Sequence, residues 1–388
     1  MSVRYYIVNP SIILIYNALR RLCILLFFLL MVAVLSSCRK SEDAVTHSQP
    51  TPYKLTIPPY FPTLLNIPAD NPMTVEGVRL GRYLFYDGRL SGRLHPDSLM
   101  SCGTCHLQSR SFECGIDHPR FHHGRPVGLG GLATLHSMMP LINQMWVHNG
   151  FLWNGLVHPT GPSPSMSRLE DLAWMVIHDP YEIAGDTIRT VALLQSVPGY
   201  PPMFRDAFGS DRITAKNIGR AIAQFVRTLI TANARFDRFM RGEIQLSPSE
   251  RNGYVLFMTE QGGDCFHCHG GEGNPLFTTN MFYNNGKDSV FSEPGDRFSI
   301  TGNQADIGAY RAPTLRNLVF TAPYMHDGRF RSIDEVLEFY NSGLKWSPYI
   351  HPLMHHIAKG GVRLNPTQLA DLKAFLLTLT DSSFVTDP

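Results

Sequence analysis

Four segments of the chain carry an apolar stripe at helical spacing behind a capping residue. Thr74-Val75-Glu76 opens a pattern that runs into Gly81-x-x-Leu84-Phe85. Ser247-Pro248-Ser249-Glu250 reads as a capping box with Pro at the first helical position, and it leads to Gly253-x-x-Leu256-Phe257. Between them, Thr214 caps a stretch in which Ile218, Ala221, Ile222, Phe225, Val226 and Leu229 share one face, the signature of a core helix. Asn365-Pro366-Thr367-Gln368 caps a last helix with Leu369, Leu372, Leu376 and Leu379 on one side. A closing helix of this kind is expected to pack on the opening helix of its unit. Strand signals are weak, and the stretch from His158 to Ser165 reads as a surface loop. The pattern predicts a mainly α fold with long irregular loops.

One apolar run has a different character. Arg20 and Arg21 precede Leu22 to Leu35, and Leu35-Ser36-Ser37-Cys38 follows. A basic flank, a short apolar core and small residues before a cleavage point make a secretory signal. The run is about 14 residues, whereas a spanning helix needs about 20. Cys38 directly after the small residues resembles a bacterial lipobox, in which it becomes the lipidated first residue. The expectation is an exported, periplasmic lipoprotein held at a membrane surface through Cys38. The polar stretch from Arg39 onward then serves as a tether.

Composition narrows the class. The 388 residues carry 34 Lys and Arg against 32 Asp and Glu, with no basic stripe or run, so nucleic acid is not an expected partner. Seven cysteines are present. Cys23 leaves with the signal, and Cys114 stands alone as an expected free thiol. The other four form Cys102-Gly103-Thr104-Cys105-His106 and Cys265-Phe266-His267-Cys268-His269. Cys-x-x-Cys-His is a c-type haem attachment site: the thiols add to the haem vinyl groups, and the adjoining imidazole ligates the iron. Composition alone would produce such a match about 0.005 times in this chain. Zinc ribbons and redox dithiols also use Cys-x-x-Cys, but need no His after each pair. Two covalent haem c groups are therefore expected, held by Cys102, Cys105, Cys265 and Cys268 and ligated by His106 and His269.

Around these sites the chain resembles the bacterial di-haem cytochrome c peroxidases and MauG-type enzymes. The resemblance runs from about Pro58 to Thr380. It is carried by Ile67-Pro68-Ala69-Asp70-Asn71-Pro72, Leu80-Gly81-Arg82-x-Leu84-Phe85-Tyr86-Asp87, Leu152-Trp153-Asn154-Gly155, Asp179-Pro180-Tyr181-Glu182, Arg311-Ala312-Pro313-Thr314-Leu315-Arg316-Asn317 and Thr321-Ala322-Pro323-Tyr324-Met325-His326-Asp327-Gly328. It implies two cytochrome c-like haem domains packed together. They would be an N-terminal peroxidatic domain over 56–235 and a C-terminal electron-transfer domain over 236–388, behind a signal over 1–37 and a tether over 38–55. It also implies that Glu182 is the catalytic acid–base over an open iron at His106, and that Trp153 couples the haems. Peroxidases of this family place Met fourteen residues beyond the His of His-Asp-Gly; from His326 that position is Tyr340, as in MauG-type enzymes. Tyr340 is thus the expected sixth ligand of the C-terminal haem, with Met325 or Met354 as fallbacks.

Three departures stand out. The loop that carries a blocking His in many relatives is Gly128-Leu129-Gly130-Gly131 here, so an open N-terminal iron is expected, with His118, His122 and His123 nearby as substitutes. The relatives' distal Gln falls on Leu172. Their calcium site falls on the carbonyls of Thr321 and Pro323, but its Asn falls on Met138, a poor calcium ligand, which puts calcium in doubt. The resulting expectation is a cytochrome-c peroxidase that reduces hydrogen peroxide with electrons from a small cytochrome c or cupredoxin. The alternatives are a MauG-like oxidase acting on a partner protein and a non-catalytic di-haem carrier.

Overall fold

The computed structural model describes residues 49–156, 168–292 and 295–386. The expected signal, Cys38 and the loop from His158 to Ser165 lie outside the described residues. Among the described residues no helix is long and apolar enough to cross a membrane. The chain from Gln49 onward makes one compact unit. It is mainly helical, as the pattern predicts. Among the described residues, six helices of at least nine residues come before the second pentapeptide: α1 (Val75–Tyr86), α2 (Leu169–His178), α3 (Thr187–Ser196), α4 (Tyr200–Phe208), α5 (Ala215–Arg227) and α6 (Pro248–Phe257). Two of that length come after it, α7 (Ile333–Ser342) and α8 (Pro366–Leu377). Among the described residues the strands form two antiparallel ribbons, β1 (Phe121–His122) with β2 (Arg125–Pro126) and β3 (Phe282–Tyr283) with β4 (Tyr310–Arg311).

The capping residues act as the sequence implies. The Thr74 hydroxyl accepts from Gly77 N at 3.0 Å, and Ser247 and Glu250 close a reciprocal box at the start of α6. The last residues of the expected tether are held against α1. Thr51 donates from its backbone and its hydroxyl to the Glu76 carboxylate, and Tyr53 N donates to Met73 O.

Two helix crossings organise the core. In the first, α1 meets α5 so closely that a Cβ on Gly81 would sit 1.9 Å from the Ala221 carbonyl oxygen. In the second, α6 meets α8, and a Cβ on Gly253 would sit 1.9 Å from the Asp371 carbonyl oxygen. The glycines of the repeated Gly-x-x-Leu-Phe stretches are there for this close approach, which no larger residue permits. Around the first crossing lies an apolar cluster with Leu80, Leu84, Phe85, Ile177, Ile218 and Ile222. Around the second lies another with Phe236, Phe257, Phe277, Leu372, Phe375 and Leu379. Each is braced by a buried ion pair. Arg227 donates to Glu170 at 2.7 Å, and Arg316 donates to both oxygens of Asp237. Asn317 ties the two regions: its amide donates to Ser111 Oγ at 2.9 Å, and its Oδ1 accepts from Asp381 N at 2.7 Å.

Candidate functional site

Each pentapeptide begins a single helical turn, Cys102–Cys105 and Phe266–His269. The next residues turn back so that a backbone carbonyl meets the imidazole: His106 Nδ1 lies 2.7 Å from Phe112 O, and His269 Nδ1 lies 3.1 Å from Pro313 O. A carbonyl accepts only, so each Nδ1 carries its proton and Nε2 is left with its lone pair. Burial pushes both imidazoles down to about 4, so they are neutral at physiological pH. A neutral imidazole with a free Nε2 is the form an iron needs.

The two turns open into two cavities of about 300 and 210 Å³. Cys102, Cys105 and His106 line the first; Cys265, Cys268 and His269 line the second. The rest of each wall is largely apolar, with Leu141, Val147, Phe151 and Val176 in the first and Phe257, Leu315, Leu337 and Leu376 in the second. None of the five described cysteines is joined in a disulfide or belongs to a cluster able to hold a metal ion. Cys114 is buried against Cys105.

Two buried polar features face the cavities, and one of them, a cation, asks for an anionic occupant. Arg311 is 4 % exposed and lines both cavities. It donates to the Leu152 and Gly150 carbonyls and to Asn280, but has no carboxylate partner among the described residues, and burial pushes it down to about 9. His136 lines the first cavity with its Nε2 unpartnered. Paired thiols, a free imidazole nitrogen, apolar walls and an uncompensated guanidinium fit a covalently attached, carboxylate-bearing porphyrin in each cavity.

Glu182 reaches the first cavity through a turn at the end of α2. Asp179 caps that helix and accepts from Tyr181 N through its side chain, and from Glu182 N and Ala184 N through its carbonyl. Burial, reinforced by Asp179 and the Cys105 sulfur, pushes the Glu182 carboxyl up to about 8. The Gly128–Gly131 loop packs on the backbone that carries Glu182. Leu129 N donates to Glu182 O at 2.7 Å, and a Cβ on Gly128 would sit 2.3 Å from Tyr181 O. Leu172 lines the same cavity and offers it no polar group. His118, His122 and His123 line neither cavity.

Trp153 is buried and lines both cavities, its indole N–H fixed on Ser137 O at 2.8 Å. Its ring lies 6.4 Å from that of His326, which stacks on Tyr310 at 3.4 Å. The His-Asp-Gly turn is tight because a Cβ on Gly328 (φ +65°) would sit 2.3 Å from Gly124 O. In the second cavity Asn285 brings the candidate ligands together. Its amide donates to Tyr340 Oη at 2.9 Å and lies 3.8 Å from Met325 Sδ. Burial raises the Tyr340 phenol above its ordinary pKa, and the Asn285 hydrogen bond opposes that. Met354, Thr321, Pro323 and Met138 line this cavity too.

Sequence reasoning missed His136, Asn285 and the role of Arg311. Arg311 stands in the Arg311–Asn317 run and was legible as part of a motif; His136 and Asn285 carried no signal.

Comparison with known proteins agrees with this geometry. Residues 75–245 match the di-haem cytochrome c peroxidase family. The chain is 33 % identical over 314 residues to the methylamine utilization protein MauG of Methylorubrum extorquens, covering 80 % of each. It is 30 % identical over 352 residues to the cytochrome-c peroxidase IdrP1 of a Pseudomonas species, covering 81 % of this chain and 84 % of that one. The crystal structure of a MauG-like protein associated with microbial copper homeostasis superposes with a TM-score of 0.74 at 30 % identity, covering 87 % of this chain and 98 % of that one. The chain therefore belongs to the di-haem cytochrome c peroxidase family, which includes the MauG proteins and carries two haem c groups.

Proposed function

We propose that the chain reduces hydrogen peroxide to water in the N-terminal cavity, with electrons delivered through the C-terminal haem by a small cytochrome c or cupredoxin. The observation that carries this reading is Glu182, a carboxyl held in a mostly apolar cavity beside Cys102, Cys105 and His106. Haem iron, when bound, supplies the coordination position and the redox chemistry. His106 and His269 hold it through Nε2, and Cys102, Cys105, Cys265 and Cys268 tether the porphyrins. Glu182 has both proton tasks: as carboxylate it takes the proton of the first peroxide oxygen, and as carboxylic acid it gives that proton to the leaving one. A group of this kind contributes about 10²- to 10⁴-fold in rate. The Gly128–Gly131 loop fixes the backbone of Glu182, and Leu172 adds no second polar group to that cavity. Trp153, which lines both cavities, couples them. Tyr340, its oxygen oriented by Asn285, would ligate the iron of the C-terminal haem when it is bound; a phenolate is a hard, anionic ligand that favours oxidised iron. An export signal and lipidated Cys38 place the protein at a membrane surface outside the cytoplasm.

Glu182→Gln tests the central claim. Turnover of peroxide with a reduced cytochrome is expected to fall about 10²- to 10⁴-fold with both haems retained; unchanged turnover would remove Glu182 from the mechanism. Tyr340→Phe, but neither Met325→Leu nor Met354→Leu, is expected to change the absorption and EPR spectra of the C-terminal haem. A second reading, peroxide-dependent oxidation of a partner protein, is favoured by Tyr340 and by the similarity to MauG. Fast steady-state turnover with a reduced donor supports the peroxidase; slow turnover with peroxide-dependent modification of a co-purifying protein supports the second.

A further inference from the structure

The rim of the C-terminal cavity carries a group of side chains that neither reading uses. Glu260, His267 and His355 each offer one ligand atom within 4.8 Å of the other two. They come from three segments: the turn after α6, the middle of the second pentapeptide, and the loop after α7. Behind them stands Asp264, whose side chain is 6 % exposed. One of its oxygens accepts from His267 Nδ1 at 2.6 Å, and the other lies 3.3 Å from His355 Nδ1. A carboxylate on Nδ1 puts the lone pair of His267 on Nε2, and Nε2 faces Glu260 Oε1 at 3.6 Å. Two ligands on one tetrahedral ion lie about 3.3–3.5 Å apart, given metal–ligand bonds of about 2.0–2.2 Å. The Glu260 turn is also held to the histidine loop, because His356 Nε2 lies 2.7 Å from Glu260 O.

A solvated ion-pair cluster would explain imidazoles turned toward Asp264. It does not explain why a second imidazole, that of His355, brings a ligand atom within 4.8 Å of those of His267 and Glu260. An imidazole whose Nδ1 is oriented by a carboxylate while Nε2 converges with other donors is the recurrent arrangement of metal-ligating histidine. We propose that Glu260, His267 and His355 bind one divalent transition-metal ion, with Asp264 as the positioning residue for both rings. Two imidazoles and one carboxylate suit a borderline ion such as Zn²⁺ or Cu²⁺, not Ca²⁺ or Mg²⁺, which take all-oxygen sites. Three protein ligands leave a fourth position for water. Asp264 and His355 also line the C-terminal cavity, so the ion would clasp two segments across its mouth.

The test uses the holoprotein with both haems attached, stripped with a chelator and titrated with Zn²⁺ alone by equilibrium dialysis. Iron serves as the internal standard for chain concentration. One saturable zinc per chain is expected, with a zinc-edge X-ray absorption spectrum showing two imidazoles. His355→Ala and Glu260→Gln should each weaken binding about ten-fold or more, and Asp264→Asn about 10- to 100-fold. His148→Ala, which removes an exposed histidine outside the cluster, should leave binding unchanged. The Soret band of each variant reports that the haems and fold are intact. Absence of saturable zinc, or zinc binding untouched by both His355→Ala and Glu260→Gln, overturns the proposal whatever the outcome of the peroxide assays.

Discussion

The two haem-binding regions are built on one plan and finished differently. Each has a helix crossing seated on a glycine, Gly81 on Ala221 and Gly253 on Asp371. Each has a pentapeptide turn whose imidazole donates to a backbone carbonyl, and a buried Arg–carboxylate pair. The difference lies in what completes the cavity. The N-terminal one receives Glu182, a carboxyl raised by burial, with Leu172 lining the same cavity. The C-terminal one receives Tyr340, Met325 and Met354, side chains that offer an iron an oxygen or a sulfur. The lesson is that attachment and function are separable. The same scaffold grips a porphyrin twice, and on the proposed reading the residues supplied from distant loops decide which site handles protons and which is furnished with a further ligand.

The sharpest way to probe this difference is pH. Glu182 lies at about 8, above the ordinary carboxylate value of 4.5. If it is the proton acceptor, peroxide turnover rises as the pH climbs through that region, and Glu182→Gln erases the limb. Stability moves the other way. The unfolded chain ionises this carboxyl first, so the folded state loses stability between about 4.5 and about 8, and shows no such loss below 4.5. Glu113, also pushed up to about 8 by burial, adds to the same slope. Glu182→Gln should therefore flatten part of the pH dependence of the unfolding midpoint.

The shared plan can be challenged by matched substitutions. Arg227→Met leaves Glu170 buried without its cation, and Arg316→Met does the same to Asp237. Each is expected to cost about 3–5 kcal/mol in denaturant unfolding, and a much smaller loss in one would show that its region tolerates water at the pair. Gly81→Ala and Gly253→Ala each force a methyl into a carbonyl oxygen, at about 1–3 kcal/mol. Equal losses support equivalent crossings; a loss in one alone breaks the parallel. The smallest effect is at the caps, where Thr74→Ala and Ser247→Ala should each cost about 1 kcal/mol.

Much of the scaffold was legible because its determinants are local. A cap and its first-turn N–H groups are neighbours in sequence, which is why the starts of α1, α5, α6 and α8 read correctly. The internal likeness of Gly81-x-x-Leu84-Phe85 and Gly253-x-x-Leu256-Phe257 foretold two similar units. Its physical content, a contact between glycine and a partner helix, required the fold. The second partner was the less obvious one: α5 read as an unassigned core helix, and the structure shows it closing the first unit as α8 closes the second. Glu182, Trp153 and Tyr340 were reached through resemblance, since a lone Glu, Trp or Tyr has no local pattern that distinguishes a site from a surface or a core.

What the sequence determined by itself was covalent and short-range: two attachment pentapeptides, their histidines, the caps and the helical stripes. Each depends on residues within a turn or two of one another, so spacing alone encodes it. Tertiary structure decided which cavity each remote side chain lines, which carbonyl orients each imidazole, that Arg311 faces both cavities without a carboxylate among the described residues, and that His136 Nε2 is left unpartnered at the first. It also decided that Glu260, Asp264, His267 and His355 converge. Burial and convergence are properties of distances between segments far apart in the chain, and only packing sets those distances.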